Sequence, residues 1–176
     1  MPELPEVEHV VRALRRVVVN RTIVASEIRL PKLIAPLSPL SFNRRIKGST
    51  ITGVSRRGKF ILIELHRASG RTKRGPQAQN LILAVHLRMT GKFVLLTPDD
   101  ELPKHAHAIF YLDHDQRLVF RDQRQFAVMK LMESSRLWET KGISELAPEP
   151  FGDDFTLEYL RLLLKRSHRS LKTLLL

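Results

Sequence analysis

The sequence contains no cysteine among its 176 residues. A chain without cysteine has neither a disulfide framework nor a thiolate metal site. No apolar run reaches the roughly 18 residues that predict a membrane-spanning helix, and no signal-peptide pattern stands at the start. We therefore expect a cytoplasmic protein that does not bind membranes.

Acidic residues are scarce relative to basic ones. The chain has 30 Lys and Arg against 18 Asp and Glu, a formal charge of +12 and an isoelectric point near 10.7. Such an excess favours a polyanionic partner, with nucleic acid first. Hydrophobic residues make up 43% of the chain, which is enough for a folded core. The length allows one domain, or one domain and part of another.

The chain opens Met-Pro-Glu-Leu-Pro-Glu. Methionine is usually removed before a small residue, which leaves Pro2 with a free secondary amine. The pKa of an α-amino group lies near ~8, far below that of lysine, so much of this amine is a neutral nucleophile at pH 7. Such an amine can form an iminium with a sugar carbon, and Glu3 and Glu6 offer carboxylates for proton transfer. The alternative is an ordinary helix start.

Apolar residues then recur at spacings of three and four, which predicts an amphipathic helix; they are Leu4, Val7, Val10, Val11, Leu14, Val17 and Val18. A helix there would fix Pro2 on a rigid element. A short helical turn is expected at 42–46, and further helix at 155–164.

Short apolar segments between turn signals predict strands; they are 22–29, 50–54, 59–65, 81–87, 92–96, 106–112, 118–120 and 126–132. Consecutive strands favour an antiparallel arrangement. The fold class is therefore mainly β with α: an N-terminal helix packed on an antiparallel two-sheet β-sandwich, followed by the start of an α-helical domain. The polar segment 69–79 is expected to be an exposed hairpin loop.

Several segments, in order along nearly the whole chain, resemble one family; they are PELPEVE (2–8), RRGKF (56–60), HLRMTGKF (86–93), KHAH (104–107), DQRQF (122–126) and LAPEPFGDDF (146–155). They are similar to the opening, the strand lysine and the HLxMSG, KHDH, DPRRFG and LGPEPLSDDF segments of formamidopyrimidine-DNA glycosylases. These are bacterial base-excision enzymes that remove oxidised purines, such as 8-oxoguanine and formamidopyrimidines.

The resemblance implies a mechanism and its residues. Pro2 would attack C1′ of the damaged nucleotide, expel the base and form a Schiff base, after which β,δ-elimination cuts the strand. Glu3 would transfer protons at the sugar, and Lys59 would contact the phosphate beside the lesion. On the residues alone, Lys59 is an exposed strand lysine.

The resemblance also implies DNA-contacting residues. Met89, Arg124 and Phe126 match the three side chains that fill the space left by an extruded base, a task that suits apolar wedges. Lys172 resembles a lysine that contacts the phosphates of the damaged strand. His105 is placed at the DNA surface with a loop-ordering role, and no metal site is expected.

We expect three parts: a catalytic β-sandwich domain (1–135), a linker (136–152) and the incomplete beginning of a helix–two-turns–helix domain (153–176). The chain ends in three leucines, which suggests a helix interrupted in mid-course. The zinc finger of the family has no counterpart here, so no cofactor is expected in this chain.

The predicted partner is damaged double-stranded DNA, met by a monomer in the bacterial cytosol or nucleoid. Two alternatives remain open at this point. One is a catalytically weak or inactive DNA-binding fragment of the same fold. The other, supported by charge alone, is an unrelated basic RNA-binding β protein.

Overall fold

A computed structural model describes residues 2–68, 79–166 and 168–170. The predicted hairpin loop at 69–79 lies outside the described residues except for its last position, and so does Lys172. The chain forms two compact units, Met1–Ser144 and Glu145–Leu176.

The first helix, α1, spans Leu4–Val18, as the apolar spacing predicts. Its buried stripe consists of Val7, Val11, Leu14 and Val18, and each fully buried Val or Leu contributes about 1.5–3 kcal/mol to folding. Pro5 is placed in the first turn, where its missing N–H costs no hydrogen bond. Arg15 and Arg16 lie in the last turn, where positive charge suits the helix dipole.

In the described residues, eight antiparallel strands follow α1, close to the predicted segments. They are β1 (Thr22–Ile28), β2 (Ser49–Arg57), β3 (Phe60–Arg67), β4 (Gln79–His86), β5 (Lys92–Leu96), β6 (Ala106–Leu112), β7 (Arg117–Arg121) and β8 (Val128–Glu133). Hydrogen bonds connect them in the order β5-β7-β6-β1-β2-β3-β4-β8. The last strand starts at Val128, so the prediction that it includes Phe126 is wrong, because residues 122–127 form a loop.

The eight strands divide into two halves at a narrow junction. Strands β1 and β2 pair only at Thr22↔Thr50 and Ile23↔Ser49, whereas β3 and β4 pair over eight positions. Both halves supply side chains to one buried core, including Ile63 and Val85 from one half and Phe110 and Phe120 from the other. The predicted fold class, mainly β with α, is confirmed, and the strands form one continuous hydrogen-bonded sheet whose two halves share this core.

Shorter helices occupy the connections. Residues Pro31–Ile34 and Ser134–Glu139 form 3-10 turns, and α2 spans Pro39–Ile46. The predicted start at Phe42 is wrong, because the helix begins three residues earlier. Ser38 caps its N-terminus by accepting the Ser41 N–H at 3.2 Å, and Pro39 suits the first turn.

The second unit contains helix α3 at Leu157–Lys165. The Thr156 hydroxyl accepts from the Tyr159 N–H at 3.1 Å and begins the helix. None of the residues of α3 is buried. Within the described residues, no helix has both the length and the apolar composition needed to cross a bilayer.

Candidate active site and DNA interface

Pro2 and Glu3 stand at the start of α1, next to the turn between β2 and β3 that carries Lys59. The Lys59 Nζ donates to Glu3 Oε2 at 2.8 Å, and the Glu3 side chain is 58% exposed. Pro2 is partly exposed. We call these three residues the amine site.

The charge of Glu3 is set by its partner. The hydrogen bond from Lys59, followed by the positive charge of Lys59, holds the pKa of the Glu3 carboxyl below its ordinary value near 4.5. Glu3 is therefore ionised at neutral pH and able to accept a proton. Lys59 has three N–H donors, so one bond to Glu3 leaves two for a further acceptor.

Hydrogen bonds hold α1, which follows Pro2 and Glu3, at its start and near its end. Glu6 accepts the Glu3 N–H at 2.8 Å, which satisfies a backbone donor at the helix start. Glu8 accepts from Arg56 Nε at 3.3 Å, and Arg15 donates twice to the carbonyl of Val54, at 2.9 and 2.8 Å. These contacts hold α1 against β2, next to Lys59.

A cleft of about 420 Å³ opens beside Pro2. One wall comes from α1 and the other from the turn between β4 and β5 and the start of β5; the lining residues are Pro2, Glu6, His9, Val10, Leu87, Gly91, Lys92 and Phe93. This volume lies within the range of small-molecule sites. Pro2 is part of the wall of this cleft.

Met89 lies in the turn that forms the second wall, and its side chain is 44% exposed. The turn is tight, because a Cβ at Gly91 would stand 2.6 Å from the Leu87 carbonyl oxygen. Only glycine fits there, which explains the glycine of the HLRMTG segment. His86 Nδ1 accepts the Arg88 N–H at 3.1 Å and braces the left-handed Arg88, whose φ is 55°.

His86 is the last residue of β4, where it pairs with Phe60 of β3 and Val128 of β8. Burial, followed by the charges of Arg88 and Lys59, lowers the pKa of His86 to about 4. The ring is therefore neutral at pH 7, which leaves Nδ1 free to accept. The positive charge of Lys59 adds a smaller part of this depression, a contact between distant positions that the sequence does not reveal.

Arg124 and Phe126 lie in the loop between β7 and β8. Phe126 is 53% exposed, and the Arg124 guanidinium stacks over its ring at 4.9 Å, a favourable cation–π arrangement. The Arg124 N–H donates to the Thr90 hydroxyl at 3.0 Å. This bond brings the loop beside the Met89 turn, so the structure gathers Met89, Arg124 and Phe126 in one region. We call these three residues the wedge.

The histidines of the KHAH segment brace the same loop. His105 is left-handed, with φ 63°, and its carbonyl accepts the Asp122 N–H at 3.1 Å. His107 is buried and donates from Nε2 to the Asp122 carbonyl at 2.8 Å. In the described part of the chain, no group of three or more His, Asp or Glu side chains is arranged to hold a metal ion.

The site residues predicted from the sequence thus lie in the amine site, in the wedge and, for His105, at the backbone contact that supports the wedge loop. Lys172 lies outside the described residues. Asp122 and Thr90, which connect the two turns of the wedge, were not identified from the sequence. The only signal for them was their place within the quoted HLRMTG and DQRQF segments.

Comparisons with known proteins agree on one family. Residues 1–129 match the family described as "Formamidopyrimidine-DNA glycosylase N-terminal domain". The chain is 40% identical, over its whole length, to the formamidopyrimidine-DNA glycosylase of Bacillus licheniformis, and 41% identical to that of Carboxydothermus hydrogenoformans. It spans 60% and 58% of those two relatives.

Solved structures show the same likeness. Lactococcus lactis Fpg in complex with DNA containing an abasic site matches with a TM-score of 0.83 and 30% identity, over 99% of this chain and 60% of that one. The complex of the same enzyme with DNA containing FAPY-dG matches equally, over 98% of this chain. The chain therefore belongs to the formamidopyrimidine-DNA glycosylase family.

Proposed function

We propose that this chain carries the reacting groups of a DNA glycosylase with lyase activity that excises oxidised purines, such as 8-oxoguanine and formamidopyrimidines. The observation that carries the proposal is the amine site: Pro2 lies at the wall of a cleft, beside an ionised Glu3 that Lys59 orients at 2.8 Å. The relatives bear the name formamidopyrimidine-DNA glycosylase. The solved neighbours hold DNA with an abasic site or FAPY-dG.

The chemistry follows from the residues. The Pro2 nitrogen forms a bond to C1′ as the glycosidic bond breaks, and the departing base takes the bonding electron pair. Glu3 accepts the proton that the attacking nitrogen loses and returns it to the ribose oxygen as the ring opens. The product is an iminium, which acidifies C2′: loss of a C2′ proton to water expels the 3′ phosphate, and loss of a C4′ proton to water then expels the 5′ phosphate.

The remaining groups serve binding. Lys59 keeps two donors for the phosphate next to the lesion, and the wedge fills the space that the extruded base leaves. The charge of +12 favours the DNA backbone. We further propose a monomer in the bacterial cytosol, with His105 and Lys172 near the DNA. Because the nucleophile is an amine, the reaction needs no cofactor from this chain.

Borohydride trapping tests the proposal. The 176-residue chain is incubated with duplexes that contain 8-oxoguanine or an abasic site, the iminium is reduced, and the linked peptide is located by mass spectrometry. We expect an adduct at Pro2. In the control, an N-terminal extension that is not removed turns the Pro2 nitrogen into an amide and leaves every side chain unchanged, so the adduct should disappear.

Other results have defined meanings. An adduct at a lysine, or one that survives the extension, would contradict Pro2 as the nucleophile. Binding of both duplexes without any adduct would instead favour the alternative of an inactive DNA-binding fragment. Membership in a glycosylase family leaves the RNA-binding alternative without support.

A further inference from the structure

Asp122 is a buried carboxylate outside the amine site. It is 1% exposed, and a buried charge is costly unless it is hydrogen-bonded. Its Oδ1 accepts from the Thr90 hydroxyl, and its Oδ2 accepts the Ala127 N–H at 2.9 Å. Neither bond belongs to a helix or a strand ladder, so the carboxylate serves the two loops that meet there.

Thr90 completes the connection between these loops. Its hydroxyl donates to Asp122 and accepts the Arg124 N–H at 3.0 Å. The turn that carries Met89 is thereby joined to the loop that carries Arg124 and Phe126 through one hydroxyl and one carboxylate. The neighbouring strands pair as far as Lys92↔Arg121 on one side and His86↔Val128 on the other, and Thr90 and Asp122 join the two segments between these pairs.

The backbone of Asp122 is held as firmly as its side chain. Its N–H donates to the His105 carbonyl at 3.1 Å, and its carbonyl accepts from His107 Nε2 at 2.8 Å. Gln125, in the same loop, is left-handed with φ 57°. A non-glycine residue in that conformation is unfavourable by itself, so the surrounding hydrogen bonds must maintain the shape of the loop.

The charge state of Asp122 fits this role. Burial raises the pKa of the carboxyl, but hydrogen bonds from Thr90 and from the N–H groups of Ala127, Phe126 and Arg124 outweigh burial, so the net pKa lies below the ordinary value. An ionised carboxylate only accepts hydrogen bonds. Both of its oxygens therefore suit the donors that surround them.

We propose that Asp122 is a positioning residue that holds the Met89 turn and the Arg124–Phe126 loop together as one preformed wedge. The inference rests on the proposed function for what the wedge does, but the coupling of the two loops belongs to the protein without DNA. Side chains that are ordered in advance lose less freedom on binding. Insertion into DNA should therefore depend on Asp122, although Asp122 is itself buried.

The first test needs no DNA. The chain has four methionines, at 1, 89, 129 and 132, so methyl-labelled methionine gives few NMR resonances, and the M89L variant assigns that of Met89. In D122N, an amide replaces one accepting oxygen with a donor. We expect the Met89 resonance to shift and broaden while Met129, which is buried in the core, keeps its position.

Matched variants separate this coupling from a general loss of structure. T90V removes the hydroxyl with little change of shape and should reproduce the effect, whereas T90S retains the hydroxyl and should restore the Met89 resonance. D113N is the control, because Asp113 also accepts a backbone N–H, from Thr22 at 3.1 Å, in a hairpin remote from the wedge. It should leave Met89 unchanged.

The second test measures the wedge on DNA. A 2-aminopurine placed beside an abasic site reports unstacking by its fluorescence, and titration gives the affinity. We expect D122N to weaken the unstacking complex about tenfold, within the range of coupling in one hydrogen-bond network. In an F126A background the same change should cost less than about twofold, because the wedge is already incomplete.

The outcomes separate the two proposals. An unchanged Met89 resonance in D122N, or equal losses with and without F126A, would overturn the positioning role whatever Pro2 does. Wild-type protein that gives no 2-aminopurine response would overturn the wedge and this inference with it. Failure of trapping at Pro2, with a normal 2-aminopurine response that depends on Asp122, would overturn the proposed chemistry alone.

Discussion

The amine site and the wedge lie in the same unit of the chain but are built in opposite ways. In the amine site, Glu3 and Lys59 form a solvent-accessible ion pair. Other side chains, those of the apolar stripe, hold α1 against the core. In the wedge, the exposed side chains rest on a buried polar network around Asp122. Substitution in the amine site should therefore change chemistry with little effect on stability, while the wedge depends on groups that never meet DNA.

The largest effect that sharpens this comparison is expected from E3Q. The glutamine cannot accept the proton from Pro2, so single-turnover release of 8-oxoguanine should slow by about 10²–10⁴-fold. The melting temperature should stay nearly constant, because Glu3 is exposed. E8Q is the control, since Glu8 lies on the same helix and is also paired with arginine. A comparable loss of rate in E8Q would contradict a specific role for Glu3.

The next largest effects are expected from one buried and one exposed phenylalanine, whose substitution should affect the stability of the fold and the binding of DNA separately. Phe120 is fully buried, so F120A should lower the free energy of unfolding by about 3–5 kcal/mol. F126A removes an exposed ring, so it should change stability by less than about 0.5 kcal/mol but weaken binding to lesion DNA by about 1–3 kcal/mol. Urea denaturation and fluorescence titration measure the two quantities.

The opposite pattern, with F126A destabilising the fold as much as F120A, would mean that Phe126 is a core residue. The exposure of 53% argues against a core position.

A smaller effect is expected from His86, which lies between the two regions. Its folded pKa of about 4 is depressed from 6.5, so the unfolded state binds more protons between these values and stability rises with pH in that window. Stability should therefore be complete above pH 6.5 and decline toward pH 4. Allowing for partial solvent exposure, the loss by pH 5 is about 1–2 kcal/mol.

The check is urea denaturation of the wild type and H86Q at several pH values. The difference between their unfolding free energies should narrow as pH falls from 7 to 5, because glutamine does not titrate. A difference independent of pH would contradict a depressed pKa for His86.

The smallest expected effect concerns how the rate of strand cleavage depends on pH through the Glu3 carboxyl. Because Lys59 lowers the pKa of Glu3, the acidic limb of the rate of strand cleavage that Glu3 sets should lie below the ordinary carboxyl value near 4.5, apart from the fall that protonation of the Pro2 amine causes near ~8. In K59M the pKa of Glu3 rises, so the acidic limb of the pH–rate profile should move to higher pH, apart from any loss of phosphate binding. K47M, a change at the end of α2, is the control. An unmoved limb in K59M would show that another group sets it.

The sequence predicted the elements of the fold well, because apolar periodicity directly reports which faces are buried. The bounds of α1, β5 and β6 follow from it almost residue by residue. It failed at Phe126 and at the start of α2, where turns and caps decide the conformation. The left-handed conformations of Arg88, His105 and Gln125 were not predicted, since residues other than glycine adopt them only when tertiary contacts require it.

By itself, the sequence determined the family and the excess of positive charge, and it supplied Pro2 as the proposed nucleophile, because these depend on residue type and order alone. Only the tertiary structure decided that Lys59 meets Glu3 across 56 positions and that Asp122 meets Thr90 across 32. Such pairings between distant residues arise when strands and loops pack. Their energetic value comes from burial and geometry, neither of which a linear sequence contains.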